Sequence, residues 1–278
     1  MISRVWNHLL VAAIAVTTVI FAGSAVAGPG ATAEFSVGVF NPATNRFYLR
    51  DGLTPGQPDF NFPFTVGLSG LTTLIGDWDG DGEFTPGFYD PITSRFYLRN
   101  SNTPGQPDLN FPFTVGISGV IPIVGDWNND NSWTVGLYDP ASQRFFLRNS
   151  NTPGQPDAGN FPFTINISGV IPVVGDFDGN GTFTVGVFDP LTDHFFLSNT
   201  NATGPVALSF TYTVGISNVV PLMGDWDNDG TYTPGVHDPV TERFFLRNSN
   251  SAGQPDAGNF PFTVGLSGTE PLVGIWTP

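Results

Sequence analysis

The sequence predicts an all-β protein, a closed five-bladed β-propeller with four antiparallel strands in each blade. Three observations carry this prediction. A unit of about 50 residues recurs five times, each copy contains four short strand patterns, and the last copy ends in a strand that the first copy lacks. One glycine marks the same place in every copy, with steps of 49, 49, 50 and 49 residues: Gly38, Gly87, Gly136, Gly186 and Gly235.

The third copy shows the first three strand patterns of each blade. Residues 121–125 are a continuous apolar run, which is typical of a strand buried on both faces. Residues 133–138 form the next strand, and Asp139-Pro140 begins a tight turn because Asp and Pro both favour turn geometry. Residues 144–148 alternate between two faces, as a third strand requires.

A loop and a fourth strand complete the unit. Residues 149–157 contain two prolines and a glycine, which predict a loop. Residues 161–165 form the fourth strand, and Pro162 marks it as an edge strand because proline cannot donate to a ladder. Apolar residues show no helical periodicity after the N-terminal segment, so an all-β fold follows.

The two ends of the repeated region predict a closed ring. The first copy begins at the second strand, around residues 35–40, and the chain ends with an inner-strand pattern at 271–276. The last strand can therefore complete the first blade. An open solenoid would need atypical polar caps at both ends, and the copies show none.

The N-terminal segment has the pattern of an export signal. Arg4 provides a short positive region, residues 9–23 are almost continuously apolar, and residues 25–27 form a small-x-small cleavage site. We expect a bacterial-type signal peptide over 1–27 and a mature single propeller domain over 28–278. An uncleaved membrane anchor is the alternative, but the apolar stretch is short for a span of about 20 residues. The expected location is secreted, extracellular or at the cell surface.

Composition excludes several classes of protein. The chain has no cysteine, and therefore no disulfide framework, thiolate nucleophile or cysteine-based metal site. All nine basic residues are arginine, and the eight that follow residue 27 face 24 acidic residues, a net charge of −16. Such a chain is a poor partner for nucleic acid, which needs clustered basic residues. No segment after residue 27 is apolar enough for stable membrane insertion.

An acidic loop follows four of the five inner strands and resembles a calcium-binding turn. Its first, third and fifth positions carry oxygen side chains, and its sixth is Gly or, once, Asn131, as the sharp turn around a hard cation requires. These positions are Asp77, Asp79 and Asp81; Asp126, Asn128 and Asp130; Asp176, Asp178 and Asn180; and Asp225, Asp227 and Asp229. The last copy ends before any such loop.

Two further loop positions complete the predicted coordination. The seventh offers a backbone carbonyl, at Glu83, Ser132, Thr182 and Thr231. The ninth is a threonine, Thr85 in the first loop and its equivalents, which we expect to be a weak ligand or to hold a water. The loops carry three, two, two and three carboxylates, so those beginning at Asp77 and Asp225 are expected to bind best, with Kd of about 10⁻⁴–10⁻³ M. The alternative is an Asx-rich turn closed by its own hydrogen bonds without a metal.

These motifs resemble the FG-GAP/VCBS-type repeats of secreted bacterial proteins. The resemblance rests on Gly-Asp-Trp-Asp-Gly-Asp-Gly at 76–82, Thr-x-Gly-x-Tyr-Asp-Pro at 85–91 and Arg-Phe-Tyr-Leu-Arg at 95–99, and it covers nearly the whole repeated region. It implies calcium in the acidic loops and a surface or adhesion role, as in the related blades of integrin α propellers. Threonine at the ninth position departs from the family, where most members have Asp, and implies weaker binding. Five blades of this length also look like the tachylectin-type lectin propeller, in architecture only.

An aromatic residue recurs at the second position of the acidic loop. Such rings, with Asp and Asn nearby, are a reasonable platform for stacking sugars, which makes them candidate glycan-binding residues. The alternative is that they fill the space between blades. The residues are Trp78, Trp127, Phe177, Trp226 and Trp276.

Arginines recur with acidic residues of the following loop. The fourth copy loses both arginines, reading His194 and Ser198, and also loses the loop aspartate. We therefore expect the second arginine of each other copy to pair with that aspartate, since its fork can grip a carboxylate at two points. The expected pairs are Arg50–Asp59, Arg99–Asp108, Arg148–Asp157 and Arg247–Asp256.

The sequence favours a binding protein over an enzyme. His194 and His237 stand where other copies have arginine or an aromatic residue, and no insertion breaks the repeat to build a catalytic site. The leading expectation is a secreted, calcium-stabilised binding or adhesion module for glycans or cell-surface ligands. A structural matrix or surface protein that self-associates through its repeats is the alternative.

Overall fold

The computed structural model describes residues 35–276 and confirms a ring of five blades, each a four-stranded antiparallel sheet. The predicted signal segment at 1–27 lies outside the described residues. The inner strands of the blades are β4 (Thr72–Gly76), β8 (Ile121–Gly125), β12 (Ile171–Gly175), β16 (Val220–Gly224) and β20 (Glu270–Gly274). Apart from its first residue, each is almost fully buried, as the apolar runs predict.

The other strands follow outward from the ring axis. The second strands are β1 (Ser36–Asn41), β5 (Thr85–Asp90), β9 (Thr134–Asp139), β13 (Thr184–Asp189) and β17 (Thr233–Asp238). The third strands are β2 (Arg46–Leu49), β6 (Arg95–Leu98), β10 (Arg144–Leu147), β14 (His194–Leu197) and β18 (Arg243–Leu246). The outer strands are β3 (Phe60–Pro63), β7 (Leu109–Pro112), β11 (Gly159–Pro162), β15 (Leu208–Thr211) and β19 (Gly258–Pro261).

The last strand closes the ring as the sequence predicts. β20 pairs antiparallel with β1, placing Ser36 opposite Gly274 and Phe40 opposite Glu270. The first blade therefore has the strand order β20-β1-β2-β3 and joins the two ends of the described chain. No helix among residues 35–276 is long and apolar enough to cross a membrane.

The outer strand lies two to three residues earlier than its sequence pattern predicts. In the third blade it spans Gly159–Pro162 rather than 161–165. Pro162 is its last ladder residue, opposite Arg144, and the chain then leaves the sheet as the Phe163 amide donates to the Gln143 carbonyl at 2.8 Å. The edge position predicted from Pro162 is confirmed, since β11 has a neighbour on one side only.

Antiparallel order divides the connections between two faces of the ring. The inner-to-second and third-to-outer connections lie on one side, which we call the loop face because it carries the acidic loops. The second-to-third turns and the connections to the next inner strand lie on the other side, which we call the turn face. Both ends of the described chain, at residues 35 and 276, lie on the loop face.

Candidate metal centres

The acidic loop between β4 and β5 is shaped by its first residue. Asp77 Oδ1 accepts the amide hydrogens of Gly80 (2.8 Å) and Asp81 (3.1 Å), and Oδ2 accepts that of Gly82 (2.9 Å). Gly80 and Gly82 have φ of 77° and 92°, the left-handed region in which glycine is favoured. The loop is therefore an Asx-type turn that holds its shape through its own hydrogen bonds.

The same turn brings three carboxylates together. Oxygens of Asp77, Asp79 and Asp81 lie within 4.8 Å of one another, and so do those of Asp225, Asp227 and Asp229 in the loop between β16 and β17. In each triad the first aspartate is buried and the other two are exposed. Among residues 35–276 these are the two groups of three acidic or histidine side chains that could bind a metal ion, and they belong to the two loops predicted to bind best.

Electrostatics in the first triad oppose its full ionisation. Burial raises the pKa of Asp77 to about 6; the amides of Gly82 and Gly80 oppose the rise, and the charges of Asp81 and Asp79 add to it. Burial and the neighbouring carboxylate also raise the pKa of Asp79. Asp225 and Asp227 repeat these directions in the second triad. A bound cation would offset this repulsion and stabilise the carboxylates.

The other two acidic loops keep the turn and lose a charge. Asp126 accepts the amides of Asp130 (3.1 Å) and Asn131 (2.8 Å), so the backbone matches that of the first loop. Asn131 has φ of 70°, which confirms that asparagine takes over the left-handed position of glycine. The Asn128 amide, however, donates to Asp130 Oδ2 at 2.9 Å, because an amide nitrogen stands where the first loop has a carboxylate oxygen.

The loop between β12 and β13 differs from the first loop at the fifth position, where Asn180 replaces an aspartate. Asp176 accepts the amides of Asn180 (3.0 Å) and Gly181 (2.6 Å), and Asn180 Oδ1 accepts the amide of Thr182 at 2.8 Å. This is the bond that the Asp81 carboxylate makes with the Glu83 amide in the first loop, at 2.8 Å. Turn geometry is thus shared by all four loops and does not depend on the number of carboxylates.

The structure gives the ninth-position threonine a role in the strand ladder. Thr85 is buried and its hydroxyl donates to the carbonyl of Gly76 at 3.3 Å, a bond that links the two ends of the loop. Thr134 and Thr233 do the same at 3.4 and 3.3 Å, whereas the closer acceptor of the Thr184 hydroxyl is the Ser198 carbonyl at 2.7 Å. This bond closes the base of the loop. A role of the threonine hydroxyl as a metal ligand stays a prediction. The carbonyl of the seventh position also stays a prediction, although the Glu83 side chain accepts a bond from Asn102 at 2.9 Å.

The second-position aromatic residues are packed within the blades. Their exposed fractions are 4, 5, 3, 8 and 1% for Trp78, Trp127, Phe177, Trp226 and Trp276, respectively. Each ring covers a glycine of its own inner strand; an added Cβ at Gly76, for example, would lie 2.7 Å from Trp78. The contacts give these rings a filling role, and they offer no open face on which a sugar can stack.

A second set of aromatic residues, not recognised from the sequence, encircles the axis beneath the acidic loops. Consecutive ring centroids lie 4.8–6.1 Å apart in edge-on contact. The set occupies the eighth loop position and its equivalent in the first blade: Phe35, Phe84, Trp133, Phe183 and Tyr232. The Trp133 amide donates to the Asp77 carbonyl at 2.7 Å, and the loops that begin at Asp126 and Asp176 are tied to the next blade by the same bond. The sequence contains one signal for this set: an aromatic residue directly precedes the ninth-position threonine in all four acidic loops.

The predicted arginine–aspartate pairs are confirmed, but the aspartate is not the closest partner of each arginine. Nitrogen–oxygen distances are 3.3, 3.8, 3.5 and 3.2 Å for the pairs of Arg50, Arg99, Arg148 and Arg247. The closer partners are backbone carbonyls: Arg99 donates to Thr103 and Gln106, each at 2.7 Å. Each guanidinium therefore fills the third-to-outer loop and fixes its backbone, with the aspartate as one partner of several.

The two histidines occupy different environments. His194 lies on the surface and its ring nitrogens contact the hydroxyls of Thr211 (3.0 Å) and Ser209 (2.8 Å). His237 is fully buried, 3.6 Å from a carboxylate oxygen of Glu242, and burial lowers its pKa to about 4. His237 is therefore neutral at pH 7 and fills the position of an aromatic residue in the other blades.

Comparison with known proteins does not assign a family. No protein-family model matches the chain. A search of curated proteins likewise gives no match. The fold and the two carboxylate triads are therefore the grounds on which function is argued.

Proposed function

We propose that this chain is a secreted, calcium-stabilised β-propeller of the FG-GAP/VCBS repeat type that acts as a binding or adhesion module, with glycans or cell-surface ligands as its targets. The observation that carries the proposal is the pair of carboxylate triads, each with one buried and two exposed members. Hard oxygen donors at this spacing suit calcium, which takes six to eight oxygen ligands. The FG-GAP/VCBS resemblance of the same loops supports this choice of metal.

The exposed half of each triad supports a binding role. Three carboxylates supply only part of a calcium coordination shell, so the remaining positions are open to water or to oxygens of a ligand. Asp79 and Asp81 face solvent on the loop face, where a glycan hydroxyl or an acidic group can reach the cation. Because the second-position aromatic rings are buried, we place ligand binding at the metal rather than on those rings.

Two experiments test the proposal in sequence. Calorimetry of the purified chain should show two calcium sites with Kd of about 10⁻⁴–10⁻³ M, and calcium should raise the melting temperature. A glycan array probed with calcium and again with a chelator should show binding that depends on the metal. No heat and no change in melting temperature would sink the calcium assignment, and an array blank under both conditions would sink the glycan assignment.

A further inference from the structure

The turns between the second and third strands expose apolar side chains at their tips. Ile92, Leu191 and Val240 are 85–87% exposed, each two residues after a buried aspartate that caps the turn. Asp90, for example, accepts the amide of Ile92 at 2.9 Å. The same turn in the third blade carries Ala141 at the tip, so the fold does not require a large apolar residue there.

The connections beside these turns extend the apolar surface. Leu68, Ile117 and Leu266 are 37–44% exposed and occupy equivalent places between an outer strand and the next inner strand. The corresponding segments, 65–71, 114–120, 164–170, 213–219 and 263–269, contain no charged residue. In the second blade a groove of about 260 Å³ lies between tip and connection, and its walls combine Ile92, Ile117 and Val120 with the polar residues Ser94, Thr114 and Ser118. All six exposed large apolar residues among 35–276 lie on the turn face.

Exposed carboxylates show the opposite distribution. All eleven within the described chain lie on the loop face: Asp51, Asp59, Asp79, Asp81, Asp108, Asp130, Asp157, Asp178, Asp227, Asp229 and Asp256. The capping aspartates and Glu242 of the turn face are buried, and Asp193 and Glu270 are half-buried. The arginines that begin four of the third strands are also half-buried, and each bonds an asparagine of the outer strand. The ring therefore has one acidic face and one face that lacks exposed carboxylates and carries the exposed large apolar side chains.

We propose that two copies of this chain pack turn face to turn face as a closed dimer. A protein of this net charge repels its copies through the loop face, whereas the turn face brings no exposed carboxylate to the contact. A stable interface needs about 800 Å² from each partner, and the turn face spans the turns and connections of all five blades. In the dimer, an apolar tip of one copy faces the second-blade groove of the other.

The symmetry of this contact determines the size of the assembly. The same surface is used by both copies, so the interface closes on itself and produces dimers rather than filaments. Both loop faces then point outward, at opposite ends of the dimer. The protein would present its carboxylate triads in two directions, as a bivalent bridge, whether or not those triads hold calcium.

Sedimentation velocity of the purified chain from 0.1 to 100 μM tests the proposal. We expect a monomer–dimer equilibrium that tightens between 0.05 and 0.5 M NaCl, because salt screens the residual repulsion between acidic copies. A chain that stays monomeric to 100 μM at both salt concentrations would overturn the proposal. Open-ended assembly that weakens with salt would also overturn it, since it would indicate stacking of a turn face on an acidic loop face.

A matched pair of triple variants locates the contact. Ile92→Asp with Leu191→Asp and Val240→Asp should weaken dimerisation by about 100-fold or more. At 0.1 μM, where the monomer dominates, the melting temperature should be unchanged because the tips are exposed. Gln57→Asp with Gln106→Asp and Gln155→Asp adds the same charge to exposed positions of the loop face, and the dimer should form as before. Equal weakening by both variants would contradict a turn-face contact.

Thiol labelling gives a second, independent readout. The chain has no cysteine, so one introduced thiol is unambiguous. Val240→Cys should react more slowly with a bulky maleimide at 100 μM than at 0.1 μM protein, because the dimer covers the turn face, and Gln106→Cys should react at the same rate at both concentrations. The reverse pattern would refute the proposal. Binding of the chain to zwitterionic lipid vesicles without self-association would refute it as well, because a membrane rather than a second copy would then cover the turn face.

Discussion

The loops that begin at Asp77 and Asp126 share a backbone and differ in charge. In both, the first aspartate accepts the amides that close the turn, and the hydroxyl at the ninth position bonds the inner strand. The first has three carboxylates, whereas Asn128 in the second donates a hydrogen bond to Asp130. The comparison separates two properties that the sequence motif merges: aspartate at the first position shapes the turn, and carboxylates at the third and fifth positions add capacity for a metal.

The largest expected effect comes from removing the exposed carboxylates of a triad. Asp79→Asn with Asp81→Asn should reduce the calcium stoichiometry from two to one. At 10 mM calcium, about 100 times a Kd of 10⁻⁴ M, loss of the site should cost about 2.7 kcal/mol. For a protein of this size that is about 5–10 °C in melting temperature. Calorimetry and thermal unfolding with calcium and with a chelator measure both quantities.

The control for this variant uses the loops with two carboxylates. Asp130→Asn with Asp178→Asn removes the same charge from exposed positions of equivalent turns. The stoichiometry should stay at two, and the calcium-dependent rise in melting temperature should persist. If this control loses calcium binding to the same degree, charge count does not distinguish the loops, and all four bind as the motif alone predicts.

A pH titration of stability gives the next largest effect. The pKa of Asp77 is raised to about 6 in the fold, so the folded state holds a proton between about pH 4 and 6 that the unfolded chain has released. Stability of the metal-free chain should therefore fall, by about 2 kcal/mol, as pH rises through this window. The free energy of unfolding should be compared with that of Asp77→Asn, whose slope is expected to be flatter. Saturating calcium should remove the difference in slope.

His237 acts in the same window with the opposite sign. Because burial lowers its pKa to about 4, its contribution to stability is present above about pH 6.5 and is lost as pH falls. The measurement is therefore best made in a His237→Phe background, since Phe40 and Phe188 stand at this position in other blades. If Asp77→Asn leaves the pH dependence of the free energy of unfolding unchanged in that background, the pKa of Asp77 is not raised by burial.

Converting an asparagine into a carboxylate should build a third site. Asn128→Asp completes the triad with Asp126 and Asp130 on an existing turn. We expect a stoichiometry of three and a loss of about 1 kcal/mol of stability without metal, regained with calcium. Asn129→Asp is the matched control, because it adds the same charge to the same loop at the exposed fourth position. A third site in the control, or none in either variant, would contradict the role given to the third position.

The fold could be predicted from the sequence because every blade supplies the same information. The period, the continuous apolar inner strand and the unpaired strand at each end fix the number of blades and the closure at β20 and β1. The outer strand was misplaced by two to three residues because its apolar pattern continues past Pro162, where the ladder ends. Alternation identifies the two faces of a strand but not the residue at which pairing stops.

The candidate site could be predicted only in part. The spacing of Asp77, Asp79 and Asp81 identified the carboxylates, because local turn geometry is enough to bring them together. The direction of the Thr85 hydroxyl and the burial of Trp78 depend on the strand beside them, which a loop motif does not contain. The aromatic residues at the eighth loop position contact one another only across neighbouring blades, so no single copy of the repeat reveals the set.

The smallest effect tests whether the ninth position takes part in metal binding at all. Thr85→Val keeps the shape of the side chain and removes the hydroxyl that donates to the Gly76 carbonyl. We expect a loss of about 1 kcal/mol of stability, measured by denaturant unfolding, and a calcium Kd within twofold of the original. Thr134→Val removes the same bond from a loop with two carboxylates and should cost the same. If Thr85→Val alone weakens calcium binding about tenfold, the hydroxyl is a ligand or holds a ligand water, and the two loops differ at the ninth position as well as in charge.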